Sequence, residues 1–237
     1  MFMYKFELHL HTDESSGCGK VPAKDAVALY MENGYDGFVV TDHFNPYACG
    51  GPDRFAKDGK ELSEEESIYW WNVVVDRFLK GYQAAKVAAE GKKFQVLLGM
   101  ELRFPGDEND YLVYGIDEEF LRSNPWIYMK QLPDFYKIAQ EKGFTIVQAH
   151  PFRTMCYLYY PKYLHGIEVY NGNPRHKSNN EVANAAADIY GKIKIESSDF
   201  HQLEDISRHY MVFETMPQTS MDVSRMLREG KFTTEIG

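Results

Sequence analysis

The 237-residue chain carries 26 Lys plus Arg against 35 Asp plus Glu, a formal charge of -9 and a pI near 5.4. That acidic balance argues against long nucleic acid and anionic membrane as partners, and 44% hydrophobic with 26% charged residues argues against disorder. One α/β domain spanning 1–237 is expected at this length, and no stretch approaches the about 18 apolar residues of a membrane span.

The N-terminus, Met1-Phe2-Met3-Tyr4-Lys5, lacks a basic segment followed by an apolar one, so no signal peptide is read there. Phe6–Leu10 reads as a strand, Lys24–Asn33 as a helix ended by Gly34, and Gly37–Thr41 as a buried strand. Asn45–Lys60, rich in Gly, Pro and Asp, reads as a long loop. Residues 63–91 read as a helical insert opened by the capping box Ser63-Glu64-Glu65-Glu66. Phe94–Leu102 and Tyr111–Ile116 are strands, Pro133–Lys142 a helix, Phe144–Gln148 and Gly166–Tyr170 strands. Ser178–Tyr190 is a helix, Ile193–Glu196 and Tyr210–Phe213 are strands, and Asp222–Glu229 is a closing helix. This alternation predicts a parallel sheet covered by helices, open or closed into a barrel. Cys18, Cys49 and Cys156 are odd in number and far apart, which reads as free thiols in a reducing cytoplasm.

The chain has eight histidines, and five of them fall at or just past the C-terminal end of an expected strand. His9 and His11 end the first strand, His43 follows Asp42, His150 follows FTIVQA, and His201 follows Asp199-Phe200; Glu101 ends FQVLLGM in the same way. In a parallel α/β sheet these positions converge on one rim, where active sites are built. Residues i and i+2 of a strand share a face about 6.5 Å apart, so His9 and His11 can serve one metal. Imidazole and carboxylate without thiolate suit Zn, Mn or Fe. The donors exceed what one tetrahedral ion needs, so two or three divalent ions are expected, with Glu101 bridging. Such a centre favours metal-assisted hydrolysis, one ion holding a hydroxide and the ions together neutralising a phosphoryl group.

His9-Leu10-His11-Thr12, Thr41-Asp42-His43, Gly99-Met100-Glu101, Ala149-His150-Pro151, Gly166-Ile167-Glu168-Val169-Tyr170-Asn171 and Ser198-Asp199-Phe200-His201, in this order, resemble the PHP (polymerase and histidinol phosphatase) family. The resemblance covers nearly the whole chain. It implies a distorted (β/α)7 TIM-like barrel with a metal cluster at the C-terminal rim, and phosphoester hydrolysis. Carried over, His9, His11, Glu101 and Asp199 are ligands of a first metal, Glu101 and His150 of a second, and His43 and His201 of a third. A histidine that many members place after the bridging glutamate falls here at Asp110 or its neighbour, so Asp110 is assigned as an oxygen ligand of the second metal. The loop Asp13–Gly19 lacks the family's His or Asp before a glycine, and Asp13, Glu14 and Cys18 lie off the usual spacing. The third position is therefore expected to be weak or completed by water.

Arg153 is expected to clamp a phosphate bidentately, its alternative being a surface ion pair; Arg103 and Arg175 are further candidates. Glu168 and Asn171 are expected to orient ligands, and Asp42 to orient His43 or cap a turn. His165, His176 and His209 fit no motif and read as ordinary loop or surface histidines. Tyr157, Tyr159, Tyr160 and Tyr163 either wall the pocket or pack, and Trp70-Trp71 packs the insert. The function expected is hydrolysis of a small phosphomonoester or phosphodiester, with His43 or His201 protonating the leaving group if the third position is empty. Histidinol-phosphate or tyrosine phosphatase activity is the nearest alternative. A non-catalytic metal-binding regulatory domain is the alternative from another class.

Overall fold

The computed structural model describes residues 3–56 and 60–237; Met1, Phe2 and residues 57–59 of the Asn45–Lys60 segment lie outside the described residues. The strands are β1 (Tyr4–Leu10), β2 (Gly37–Val40), β3 (His43–Phe44), β4 (Gln95–Leu98), β5 (Met100–Leu102), β6 (Tyr111–Tyr114), β7 (Thr145–Gln148), β8 (Gly166–Asn171), β9 (Ile193–Ser197), β10 (His209–Phe213) and β11 (Phe232–Ile236). The helices are α1 (Ala23–Glu32), α2 (Pro46–Cys49), α3 (Glu64–Ala89), α4 (Glu118–Ser123), α5 (Leu132–Lys142), α6 (Asn180–Tyr190) and α7 (Ser220–Glu229). No described helix is long and apolar enough to cross a membrane.

The strands form two mixed sheets, in the orders β11-β10-β1-β2-β4 and β3-β5-β6-β7-β8-β9. A wholly parallel sheet was the expectation, and it is corrected: β1–β10, β10–β11, β5–β6 and β6–β7 pair antiparallel. The connection from β5 to β6 carries no helix, so the chain turns back beside itself instead of crossing over. The expected strand Phe94–Leu102 divides at Gly99 into β4 and β5, which belong to different sheets. The Asn45–Lys60 segment, expected as a loop, contains α2, capped by Asn45, and a 3₁₀ turn over Pro52–Arg54. At one seam the chain passes from sheet to sheet, β2 into β3 and β4 into β5, and backbone bonds from Gly99 N to Val40 O and from Glu101 N to Asp42 O keep the two paths paired through it. The parallel bridge Leu10–Phe200 runs across the other.

β1 carries one extra residue relative to β2 between Glu7 and Leu10. Phe6 and Leu8 pack among Val39, Leu97, Leu112 and Val147, whereas Leu10 packs with Phe38 and Val40 on the opposite face. The bulge changes the strand's phase, as bulges near sites do. Without it Leu10 would follow Phe6 and Leu8, and His9 and His11 would point away from the interior.

The insert α3 begins with the expected capping box, Ser63 and Glu66 each bonding the other's backbone. Trp71 is buried against Phe44 and Tyr128, and its indole N–H donates to Leu121 O at 2.7 Å. Gly81 faces the first β-strand's following loop: a Cβ there would lie 1.9 Å from Thr12 Oγ1 and 2.6 Å from Asp42 Oδ2. Only a glycine lets the helix approach this closely.

Candidate metal centre

Every expected donor comes to one rim. His9 and His11 lie at the end of β1, His43 in β3, Glu101 in β5, His150 beyond β7, and Asp199 and His201 beyond β9. Asp110 precedes β6, which is antiparallel to its neighbours, so its start falls at the rim where β5 and β7 end. His150 and Asp199 have positive φ, 28° and 53°, a conformation that costs a non-glycine residue about 1–3 kcal/mol.

His9, His11 and Glu101 converge on one point, and Asp199 lies beside the two histidines. His9 Nε2 lies 3.1 Å from His11 Nε2, 3.2 Å from Glu101 Oε1 and 3.3 Å from Asp199 Oδ1. His11 Nε2 lies 3.4 Å from Glu101 Oε2 and 3.6 Å from Asp199 Oδ1. A tetrahedron with metal–ligand bonds of about 2.0–2.1 Å has edges of about 3.3 Å, so the separations among His9, His11 and Glu101 are of the size one ion needs. His9 Nδ1 faces Glu168 Oε1 at 2.8 Å and His11 Nδ1 faces Ser16 Oγ at 3.3 Å. With the ring protons placed on those atoms, both Nε2 lone pairs are turned to the same point, as the ligands of a shared cation would be.

Glu101 opens toward both sides of this point. Its Oε1 lies 3.2 Å from His150 Nε2 and its Oε2 2.8 Å from His43 Nδ1. That His43 nitrogen is buried and has no hydrogen-bond partner of acceptable geometry. Glu101, Asp199 and Glu168 are each 1% exposed, and such a concentration of buried negative charge requires cations. Burial alone would raise the Glu101 carboxyl, but His43 and His9 hold it well below its ordinary value. Asp199 is likewise held down against its burial by His9 and His11. Burial drives the His11 imidazole down to about 3, which keeps it neutral and able to ligate. The chemistry of this donor set fits divalent ions held by nitrogen and oxygen.

Asp110 is brought to the rim but is already engaged. Arg103 grips it bidentately, Nε to Oδ1 at 2.8 Å and Nη2 to Oδ2 at 2.6 Å, while His150 Nε2 stands 4.0 Å away. Glu168 and Asn171 lie against these donors. Glu168 Oε2 accepts from His150 N at 2.7 Å and Asn171 Nδ2 at 2.9 Å, and Ser197 Oγ donates to Oε1. Asn171 Nδ2 also reaches Asp199 Oδ2 at 3.1 Å. Asp42 accepts from Thr12 N at 2.8 Å and from Thr12 Oγ1 at 2.7 Å and so ties the β1 loop to the end of β2.

A cavity of about 280 Å³ opens over the donors, lined by Cys18, His43, His201, His176 and the three arginines Arg103, Arg153 and Arg175. Arg175 is held bidentately by Asp205. Arg153 is held least, at 3.4 Å from Asp199 Oδ2 and 3.9 Å from Asp110 Oδ2. His176 is exposed, outside any helix or strand, and lies at the cavity's edge. His165 and His209 stay away from the rim, one accepting from Ile146 N, the other stacked 3.5 Å from Tyr170. The four tyrosines line no part of this cavity and pack in edge-to-face pairs.

Two groups escaped sequence reasoning. Glu7 is buried beneath His9, accepting from His9 N at 2.8 Å and from Ser198 Oγ at 2.5 Å. Burial pushes its carboxyl up to about 7 against those hydrogen bonds. Its signal was a charged residue inside an apolar strand, Phe6-Glu7-Leu8. Cys18 is the other, and it was set aside on loop spacing alone. Its side chain falls in with three imidazoles: one donor atom from each of His11, Cys18, His43 and His201 lies within 4.8 Å of the others.

Comparison with known proteins bears on this arrangement. The family model described as PHP domain matches residues 7–215. No curated protein sequence matches the chain. Among solved structures, PsfC from Pseudomonas syringae is similar with a TM-score of 0.68 at 16% identity, over 100% of this chain and 93% of that one. A two-domain protein from Bacteroides vulgatus, described as containing a predicted PHP-like metal-dependent phosphoesterase, is similar with a TM-score of 0.62 at 15% identity, over 99% of this chain and 65% of that one. A lesion-specific endonuclease from Pyrococcus furiosus is similar with a TM-score of 0.58 at 15% identity, over 99% of this chain and 58% of that one. At these identities the likeness is one of fold.

Proposed function

The chain belongs to the PHP domain family, and on that premise we propose that it is a metal-dependent phosphoesterase acting on a small phosphomonoester or phosphodiester. The observation that carries the reading is the convergence of His9, His11 and Glu101 on one point, with Asp199 3.3 Å from His9, beneath an arginine-lined cavity. We read the two sheets as halves of a distorted barrel, supported by the backbone bonds along both seams, and residues 1–237 as one domain with α3 as its insert.

In this reading His9, His11, Glu101 and Asp199 hold one divalent ion, Glu101, His150 and Asp110 a second, and His43 and His201 a third. Zn, Mn or Fe would supply positive charge to the phosphoryl oxygens and lower the pKa of water at the centre. The chain's own part is orientation. Glu168 fixes the His9 ring, and Asn171 fixes Asp199. Arg153, the arginine least committed to a carboxylate, receives the non-bridging oxygens of the substrate. His43 and His201 face the cavity, where either can give a proton from its imidazole to the leaving oxygen if the third position is empty.

A cavity of about 280 Å³ supports a small substrate over a long polynucleotide, although the fold is shared with an endonuclease. The three free cysteines support a reducing, cytoplasmic setting. The test is a panel of phosphomonoesters, phosphodiesters and a dinucleotide assayed with chelated and metal-reloaded protein. Metal-dependent turnover that is lost in His9→Ala with an unchanged circular dichroism spectrum is expected. Protein that holds its ions yet turns over no member of the panel would sink the phosphoesterase reading.

A further inference from the structure

The loop after β1 is tied down around Cys18. Ser16 N donates to Thr12 O at 3.0 Å, Gly19 N to Ser16 O at 3.0 Å, and Lys20 N to His201 O at 2.8 Å. Ser16 Oγ accepts from His43 N at 2.9 Å, so the loop holds both β3 and the segment after β9. At Gly19 a Cβ would lie 2.5 Å from Thr12 O, so the chain turns tightly there immediately after Cys18.

The neighbouring imidazoles are arranged as ligands. His201 Nδ1 lies 2.8 Å from the carbonyl oxygen of Asp199; a proton on that nitrogen leaves Nε2 bare. The His11 ring lies tilted beside both rings, 4.6 Å from His43 and 4.4 Å from His201 between centroids, but its own Nε2 is turned to Glu101 and Asp199. What remains for a further ion is His43, His201 and a sulfur. All three line the cavity, so the fourth position of such an ion would face the substrate. Three protein ligands with one open position is the pattern of catalytic rather than structural sites.

We infer that Cys18 is the missing protein ligand of the third ion, binding through Sγ with His43 and His201. The inference rests on the metal-centre reading above and concerns which side chain of this loop completes it. Binding releases the thiol proton to solvent, since a coordinated cysteine is a thiolate. A sulfur ligand gives this position a softer character than the nitrogen and oxygen donors around His9. The third position then favours Zn, Co or Fe over Mn or Mg, while the first two do not share that bias.

The probe is Co(II) alone, titrated into chelator-stripped full-length protein and followed by absorption. Cobalt bound by nitrogen and oxygen gives visible ligand-field bands only; cobalt bound by thiolate adds a near-ultraviolet charge-transfer band. The band is expected in the wild-type protein, in Cys49→Ser and in Cys156→Ser, and to be absent in Cys18→Ser, which binds one fewer cobalt per chain. Cys18→Asp restores the stoichiometry without the band, and guards against a serine variant that merely folds poorly. In the wild-type protein Zn(II) also shields Cys18 from alkylation, mapped by mass, more than it shields Cys156. Wild-type protein that shows the visible bands without the charge-transfer band overturns the inference and leaves the metal centre standing. So does a band that persists in Cys18→Ser. Protein that binds no cobalt overturns both.

Discussion

Glu168 Oε1 sits 2.8 Å from His9 Nδ1, and no water reaches either side chain, both being fully buried. The same carboxylate receives His150 N and Asn171 Nδ2 through its other oxygen, so one residue sets the aim of donors from three different strands or their ends. Glu168→Gln keeps the shape and removes the charge that makes the imidazole basic. It should weaken metal affinity about 10- to 100-fold, the usual cost of losing such a partner. Competition with a fluorescent chelator measures this, and unchanged affinity would show that His9 is oriented by packing alone.

Metal removal should cost stability as well as turnover. Glu101 and Asp199 are each 1% exposed and lose their counter-charge with the ion. A ligand held at 100 times its Kd stabilises by about 2.7 kcal/mol. For a chain of this length that is about 5–10 °C in Tm. Scanning calorimetry of stripped and Zn-reloaded protein checks it; equal transitions would mean that the rim holds no tightly bound ion.

Arg153 should act on substrate and not on fold. Its carboxylate contacts are long, 3.4 and 3.9 Å, so little is lost inside the protein when it is removed. A charged hydrogen bond to a phosphoryl group is worth about 1.5–3 kcal/mol, so Arg153→Ala should raise KM about 10- to 100-fold with Tm nearly unchanged. Arg175→Ala, by contrast, strips the buried Asp205 of its bidentate partner and should lower Tm. Steady-state kinetics and thermal melts of both variants separate the two roles.

Gly81→Ala should disturb the rim from outside it. The new methyl would enter the space of Thr12 Oγ1 and Asp42 Oδ2, at 1.9 and 2.6 Å. Overpacking of this kind costs about 1–3 kcal/mol. Because Thr12 adjoins His11, metal affinity should fall together with Tm. A fall in Tm with intact affinity would show that α3 yields without moving the loop.

Acid lability should have a component remote from the metals. His165 is driven down to about 4 by burial and by Arg228 and Lys192. Its folded pKa lies below the unfolded value of about 6.5, so the unfolded chain binds the extra proton between the two. Its stabilising contribution is present above about 6.5 and is lost as the pH falls through about 4. His165→Gln should flatten the urea midpoint over that window, and an unchanged slope would assign the lability to other groups.

The helices and the rim donors were legible because both are periodic or positional signals. The apolar runs ended where the polar donors began, and β-strand ends in an α/β sheet share a side. What escaped was long-range. The strand reversal at β6 has no local mark, since Tyr111–Tyr114 reads the same in either direction. The division at Gly99 depends on a partner strand that the segment itself does not reveal. Cys18 was discounted by counting residues from His11, yet its place is set by Lys20 N reaching His201 O, a contact across 181 positions of sequence. The resemblance suggests Asp110 or its neighbour as a ligand, but the bidentate hold of Arg103 on Asp110 is visible only in space.

The bulge in β1 divides that strand into two separately registered halves. Phe6 and Leu8 answer to the apolar interior, and His9 and His11 to the donors at the rim. The extra residue between Glu7 and Leu10 is a point where small backbone shifts can be absorbed. Substitutions that repack the lower half should therefore be transmitted poorly to the upper half. For protein engineering, the floor of this fold is the place to add thermal resistance without retuning the chemistry above it.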